Sequence, residues 1–199
     1  EYKLLILDID GTLLNEEKKI TPNTKAILLK RQQLGVKIVL ASGRPTYGVL
    51  PIAKELELDK HGGYVLSYNG GQIFDLSTNE LLFEKRIDPS MLPYIERKAG
   101  KNNFPIFTYH EDSILTNDIN NKWIRREASL NNMQLKEVSN FAESIDFHPC
   151  KCMLVSDDEE ALIGLENHWK RRLAGSLDVF RSETYFLEIV PKLSDKENT

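Results

Sequence analysis

The sequence predicts an α/β protein, with a Rossmann-like parallel-sheet core and a second, α+β region. Three observations carry this. Leu4-Leu5-Ile6-Leu7 is an apolar run without polar alternation, the pattern of a strand covered on both faces in a parallel sheet. Strand and helix patterns then alternate through Ser67 at the spacing of right-handed βαβ units. After about Ile87 the character changes to paired strands set between helices.

The elements follow in order. Leu4–Leu7 leads into Asp8-Ile9-Asp10-Gly11-Thr12, a strand end meeting a glycine turn. Thr21-Pro22 is an N-cap followed by proline at the first helical position, so a helix is expected over 23–34, ended by Gly35. Residues 36–41 form a second strand, and Ser42-Gly43-Arg44-Pro45 leads to a helix expected over 46–58. A third strand at 64–67 turns at Asn69-Gly70, and a hairpin joins 72–76 to 81–85. Beyond it, helices are expected to about Gly100, over 120–130 and over 157–173. Strands are expected at 104–109, 113–116, 150–155, 177–181 and 185–190.

Composition narrows the function classes. The 199 residues are 41% hydrophobic, enough for a core. The net charge of −4, with both signs mixed along the chain, argues against a nucleic-acid scaffold. No apolar run approaches the length of a membrane span and no signal peptide precedes the first strand, so neither nucleic acid nor membrane is an expected partner. Cys150 and Cys152 are too close for an unstrained disulfide and read as reduced packing residues of a cytoplasmic protein.

Asp8 and Asp10 carry the chemistry. Side chains two apart on a strand point to one side, roughly 6–7 Å apart. Ligands of parallel sheets bind at the carboxyl ends of the strands. That spacing suits one carboxylate as nucleophile and the other as proton carrier. Taken singly, each candidate has a plainer reading. Asp-Gly is a common turn, Ser42 can cap a helix, Arg44 can be a surface charge, and Asn69-Gly70 can be a turn alone. Glu188 alternates with Leu187 and Ile189 and faces either a substrate cleft or solvent.

The segment Leu7-Asp8-Ile9-Asp10-Gly11-Thr12-Leu13-Leu14 resembles the first motif of the haloacid dehalogenase-like phosphohydrolases. Ser42, in Ala41-Ser42-Gly43-Arg44-Pro45, matches the second. Tyr185 to Lys192 resembles the segment leading to the motif lysine in Cof-type members, a register that puts the lysine at Lys196, with Lys192 as the rival. Asn69-Gly70 matches the Asn-Gly of the same subfamily.

The resemblance implies a Mg2+-dependent phosphatase of small phosphate monoesters, plausibly sugar phosphates, working through an aspartyl-phosphate. It makes Asp8 the nucleophile, Asp10 the acid/base and Lys196 the neutralising cation. Ser42, Gly43 and Gly11 would hold phosphate, and Arg44, Asn69 and Glu188 are substrate candidates. Asp8 and the main-chain carbonyl of Asp10 would ligate Mg2+. A sugar phosphomutase and a non-catalytic phospho-accepting module are the alternatives. The implied division is a core over 1–83, an α/β cap over 84–188 and a return to the core over 189–199. The fourth, acidic motif of the family is not found before Thr199, which suggests a chain shorter than the natural product or completed by another. Oligomeric state is not legible.

Overall fold

The computed structural model describes residues 2–193. The chain divides into two compact units between Glu84 and Lys85, each with its own sheet and core.

Unit 1 begins with β1 (Leu4–Asp8), α1 (Pro22–Gln33) and β2 (Lys37–Ala41). Thr21 caps α1 as expected, its Oγ1 accepting the Thr24 N–H at 3.2 Å, with Pro22 in the first turn. Gly35 ends the helix at φ +87°, a conformation that glycine adopts at least cost. The helix expected over 46–58 is two. α2 (Thr46–Glu55) stops where Glu57 turns left-handed, and α3 (Leu58–His61) is a single turn. β3 (Tyr64–Ser67), β4 (Gln72–Asp75) and β5 (Glu80–Glu84) complete a sheet of order β1-β2-β3-β4-β5. The first three strands are parallel and the hairpin is antiparallel. The core gathers Ile9, Leu13, Leu28, Ile38, Leu40, Val49, Leu56 and Val65.

β1 departs from expectation. It is an edge strand paired only with β2 among the described residues. Leu4 is 50% exposed and Ile6 58%. Uninterrupted apolarity was read as cover on both faces, but the run reports the residues' preference and not the number of neighbours present.

Unit 2 holds α4 (Leu92–Lys101), β6 (Ile106–His110), β7 (Ser113–Thr116), α5 (Lys122–Leu130), β8 (Gln134–Glu137), α6 (Phe141–Ser144), β9 (Cys152–Val155), α7 (Glu159–Arg172), β10 (Leu177–Glu183) and β11 (Phe186–Pro191). The sheet order is β10-β11-β9-β6-β7-β8. Every pairing is antiparallel except β7 with β8. Ile95, Ile106, Phe141, Leu154, Leu162, Trp169 and Leu187 are among its core residues. Sequence reading missed β8 and α6, since β8 is a short polar edge and α6 is a single turn held by Phe141 and by the Glu96 carboxylate, 45 residues away in sequence. β11 continues to Pro191, three residues beyond the boundary drawn at 188. Cys150 and Cys152 are buried free thiols, and burial pushes the Cys152 thiol up to about 12. Among the described residues no helix is long and apolar enough to cross a membrane.

Candidate active site

The carboxyl ends of β1, β2 and β3 lie side by side. β1 pairs with β2 through Asp8 opposite Ala41, and β2 pairs with β3 through Ala41 opposite Leu66. Chain polarity and parallel pairing therefore bring Asp8, Ser42 and the turn after Ser67 to one end of the sheet, where open α/β folds bind ligands. A cleft of about 340 Å³ opens there, lined by Asp8, Ala41, Ser42, Gly43, Leu66, Asn69 and Gly70. That is the scale of a small-molecule site.

Each wall has a local cause. After Asp8 the chain closes tightly: the Leu13 N–H donates to the carbonyls of Asp8 and Ile9, and the Leu14 N–H donates to that of Ile9. Gly11 makes this turn possible at φ +82°. Ile9 is fully buried beneath it while Asp8 stays exposed. The second wall is stitched to the third. The Ser42 N–H donates to the Leu66 carbonyl at 2.9 Å, the Asn69 N–H to the Ser42 carbonyl at 3.1 Å, and the Tyr68 N–H to the Arg44 carbonyl at 3.0 Å. Ser42 does not cap α2. Its hydroxyl accepts the Arg44 N–H at 3.1 Å, while Pro45 occupies the cap position without a side-chain hydrogen bond. Tyr68, Asn69 and Gly70 all have positive φ, two of them at a cost a side chain imposes. This turn seats Asn69 so close to Gly43 that an added Cβ there would lie 2.8 Å from Asn69 Oδ1. Gly43 is the residue that lets the two loops meet.

Asp10 is absent from the cleft lining. Its carboxylate is gripped by Arg44, whose Nε and Nη2 each donate at 2.7 Å, and by Lys18 Nζ at 2.9 Å. Arg44 is buried, so this fork is fixed and only partly solvated. Partial burial opposes ionisation of Asp10, but the hydrogen bonds and charges of Arg44 and Lys18 outweigh it and hold the carboxyl below its usual range.

The remaining candidates belong to unit 2 or fall outside the described residues. Glu188 belongs to unit 2, where its carboxylate meets Lys151 Nζ at 3.1 Å with both side chains buried. Lys192 donates to the Ala174 carbonyl, also in unit 2. Lys196 lies outside the described residues. Lys18 and Lys151 were missed by sequence reading, because only their distant partners distinguish them from other surface-type lysines.

Among the described residues no cluster of three or more His, Cys, Asp or Glu side chains is placed to hold a metal. The donors that are present fit Mg2+ all the same. Asp8 offers a carboxylate in the cleft, and Asp10, with its side chain engaged, offers the main-chain carbonyl that precedes Gly11. Mg2+ takes hard oxygen ligands and commonly uses one or two carboxylates, with phosphate and water completing its shell.

Comparison with known proteins identifies the family. The sequence profile of the haloacid dehalogenase-like hydrolases matches residues 5–199. A haloacid dehalogenase-like hydrolase from Bacteroides thetaiotaomicron superposes with a TM-score of 0.92 at 40% identity, over 98% of this chain and 73% of that one. A Streptococcus pyogenes protein with a provisional phosphatase name is 28% identical over 98% of this chain and 72% of its own length. The HMP-PP phosphatase of Yersinia pseudotuberculosis is 26% identical over 98% of this chain and 69% of its own. The chain belongs to the haloacid dehalogenase-like hydrolase family.

Proposed function

We propose that this protein hydrolyses small phosphate monoesters, sugar phosphates foremost, with Mg2+ as cofactor and an aspartyl-phosphate as intermediate. The observation that carries this is the convergence of Asp8, Ser42, Gly43 and Asn69 on one cleft at the strand ends. Asp8 attacks phosphorus. Ser42, with the backbone N–H groups of Gly43 and Gly11, holds the phosphate oxygens near the start of α2, whose dipole favours an anion. When bound, Mg2+ offsets the repulsion between an anionic nucleophile and an anionic phosphate. Asp10 exchanges protons, first with the leaving oxygen and then with water. Lys196 supplies the neutralising cation, and unit 2 takes the role of substrate-selecting cap. Two buried free thiols fit a cytoplasmic setting.

The test is Asp8→Asn in the full-length protein. Phosphate release in Mg2+ should fall by about 10⁴-fold or more, the scale of losing a nucleophile. Activity that survives this substitution removes Asp8 from its role. The same assay followed by product analysis separates hydrolysis from mutase chemistry, which returns a phosphate isomer and no free phosphate.

A further inference from the structure

The loop after the first strand contains a lysine in an unusual place. Lys18 has a positive φ of +58°, a conformation that asparagine or glycine takes more readily. The turn is nevertheless well made. The Asn15 N–H donates to the Lys19 carbonyl at 3.0 Å, the Lys18 N–H to the Asn15 carbonyl at 2.9 Å, and the Lys19 N–H to Asn15 Oδ1 at 2.9 Å. Turn chemistry explains Asn15 and leaves Lys18 unexplained. Its side chain supplies the reason, because Nζ reaches Asp10 Oδ1 at 2.9 Å, an oxygen that Arg44 Nη2 also holds at 2.7 Å. Arg44 Nε takes the other oxygen. The neighbouring Lys19 makes a 3.5 Å contact to Glu17, both of them well exposed, and reaches nothing in the site.

We propose that Lys18 is a positioning residue for Asp10, closing with Arg44 a three-point clamp that fixes the carboxylate for the hydrolytic half of the reaction. This rests on the aspartyl-phosphate reading above. In that half-reaction the oxygen of water bonds to phosphorus and the bond between phosphorus and the Asp8 oxygen breaks. Asp8 leaves as a carboxylate, and a proton of the water passes to the Asp10 carboxylate. An oriented Asp10 is what this step needs, and three hydrogen bonds from two side chains on different loops supply the orientation. Lys18 itself is about half exposed and contributes little to the fold, as exposed ion pairs do. Its loss should be felt in the reaction and not in folding.

Rapid-quench measurement of phosphoenzyme formation and decay tests this on the full-length protein, with Mg2+ and p-nitrophenyl phosphate as the probe. Lys18→Met should slow decay by about tenfold or more, as misplacement of a reacting group does. Formation should hardly change, so phosphoenzyme accumulates and kcat and KM fall together. Lys18→Arg should restore most of the decay rate, and Lys19→Met should match the wild type. Equal slowing of formation and decay, an unchanged decay, or no rescue by arginine overturns the proposal. If the wild type forms no phosphoenzyme that Asp8→Asn abolishes, the underlying reading fails instead, and the two failures are distinct.

Discussion

The first strand of unit 1 and the last strand of unit 2 are both apolar runs, yet their fates are opposite. β11 is buried at every position, flanked by β10 and β9 and packed on the core around Trp169. β1 has one neighbour among the described residues, and Leu4 and Ile6 are left open beside a groove lined by Tyr2, Leu5, Arg31, Leu34 and Val36. The contrast separates two properties that sequence merges. Hydrophobicity states what a strand would gain from burial, while cover on its faces decides whether the gain is realised. The proposed chemistry sits on the less protected strand. Asp8 terminates β1, whereas the carboxylate of β11, Glu188, is spent on a buried ion pair with Lys151. Such a pair adds little net stability over well-packed apolar residues, although removing one partner alone is costly.

Substitution at matched positions turns this contrast into numbers. Leu187→Ala, at a fully buried site of β11 opposite Leu154, should destabilise the protein by about 2–5 kcal/mol, the usual cost of a core leucine. A shift of the urea midpoint measures it. A loss below about 1 kcal/mol would mean that unit 2 repacks freely and that its sheet is not the tighter of the two. Gly43→Ala comes next and acts on the catalytic side. The new methyl meets Asn69 Oδ1 at 2.8 Å, so the Asn69 side chain or the Gly43 loop must shift. A fall in kcat/KM of about tenfold or more is expected from that displacement. Adding Asn69→Gly should remove the collision and recover stability without recovering turnover.

The parts of this architecture legible in the sequence are those with local causes. Thr21-Pro22 and Gly35 frame α1 because capping and positive φ are properties of single residues. The strand-end position of Asp8 was legible because ligands of parallel sheets bind where the strands end, whereas Ser42 and Asn69 were named from the family resemblance and line the same cleft. The break at Glu57 was not legible, since a glutamate at φ +54° carries no local signal for it. Nor was the fate of Glu188, which alternation left between cleft and solvent and which Lys151, 37 residues away, took inward. The clamp on Asp10 escaped for the same reason. Lys18 and Arg44 reach it from different loops, and only the folded chain brings the three together.

A smaller effect concerns how unit 2 is held at low pH. Glu166 on α7 accepts from Lys170 at 2.7 Å and from Arg181 of β10 at 2.8 Å, tying helix to sheet. Burial opposes its ionisation, but the two cations prevail and keep its carboxyl below the ordinary value of 4.5. A carboxyl depressed in the folded state stabilises above its unfolded pKa, and that stability is lost as pH falls through the folded value. Glu166→Gln should therefore be less stable than the wild type at neutral pH. The difference should shrink below pH 4.5 and vanish once the wild-type carboxyl is protonated. Denaturation midpoints across that range measure it, and a gap that does not depend on pH would assign Glu166 a packing role alone.

The smallest expected effect on stability is at β1. Ile6 already spends more than half its surface in water, so Ile6→Thr forfeits little burial and keeps a β-branched side chain suited to a strand. Stability should change by no more than about 0.5 kcal/mol, the usual range for exposed sites. Association is the more sensitive readout, because an unpaired apolar edge is a template for another chain. Light scattering at rising concentration should show less self-association for the threonine variant. A loss of several kcal/mol instead would show that Ile6 is buried in solution, and the contrast between β1 and β11 would then be one of sequence position and not of protection.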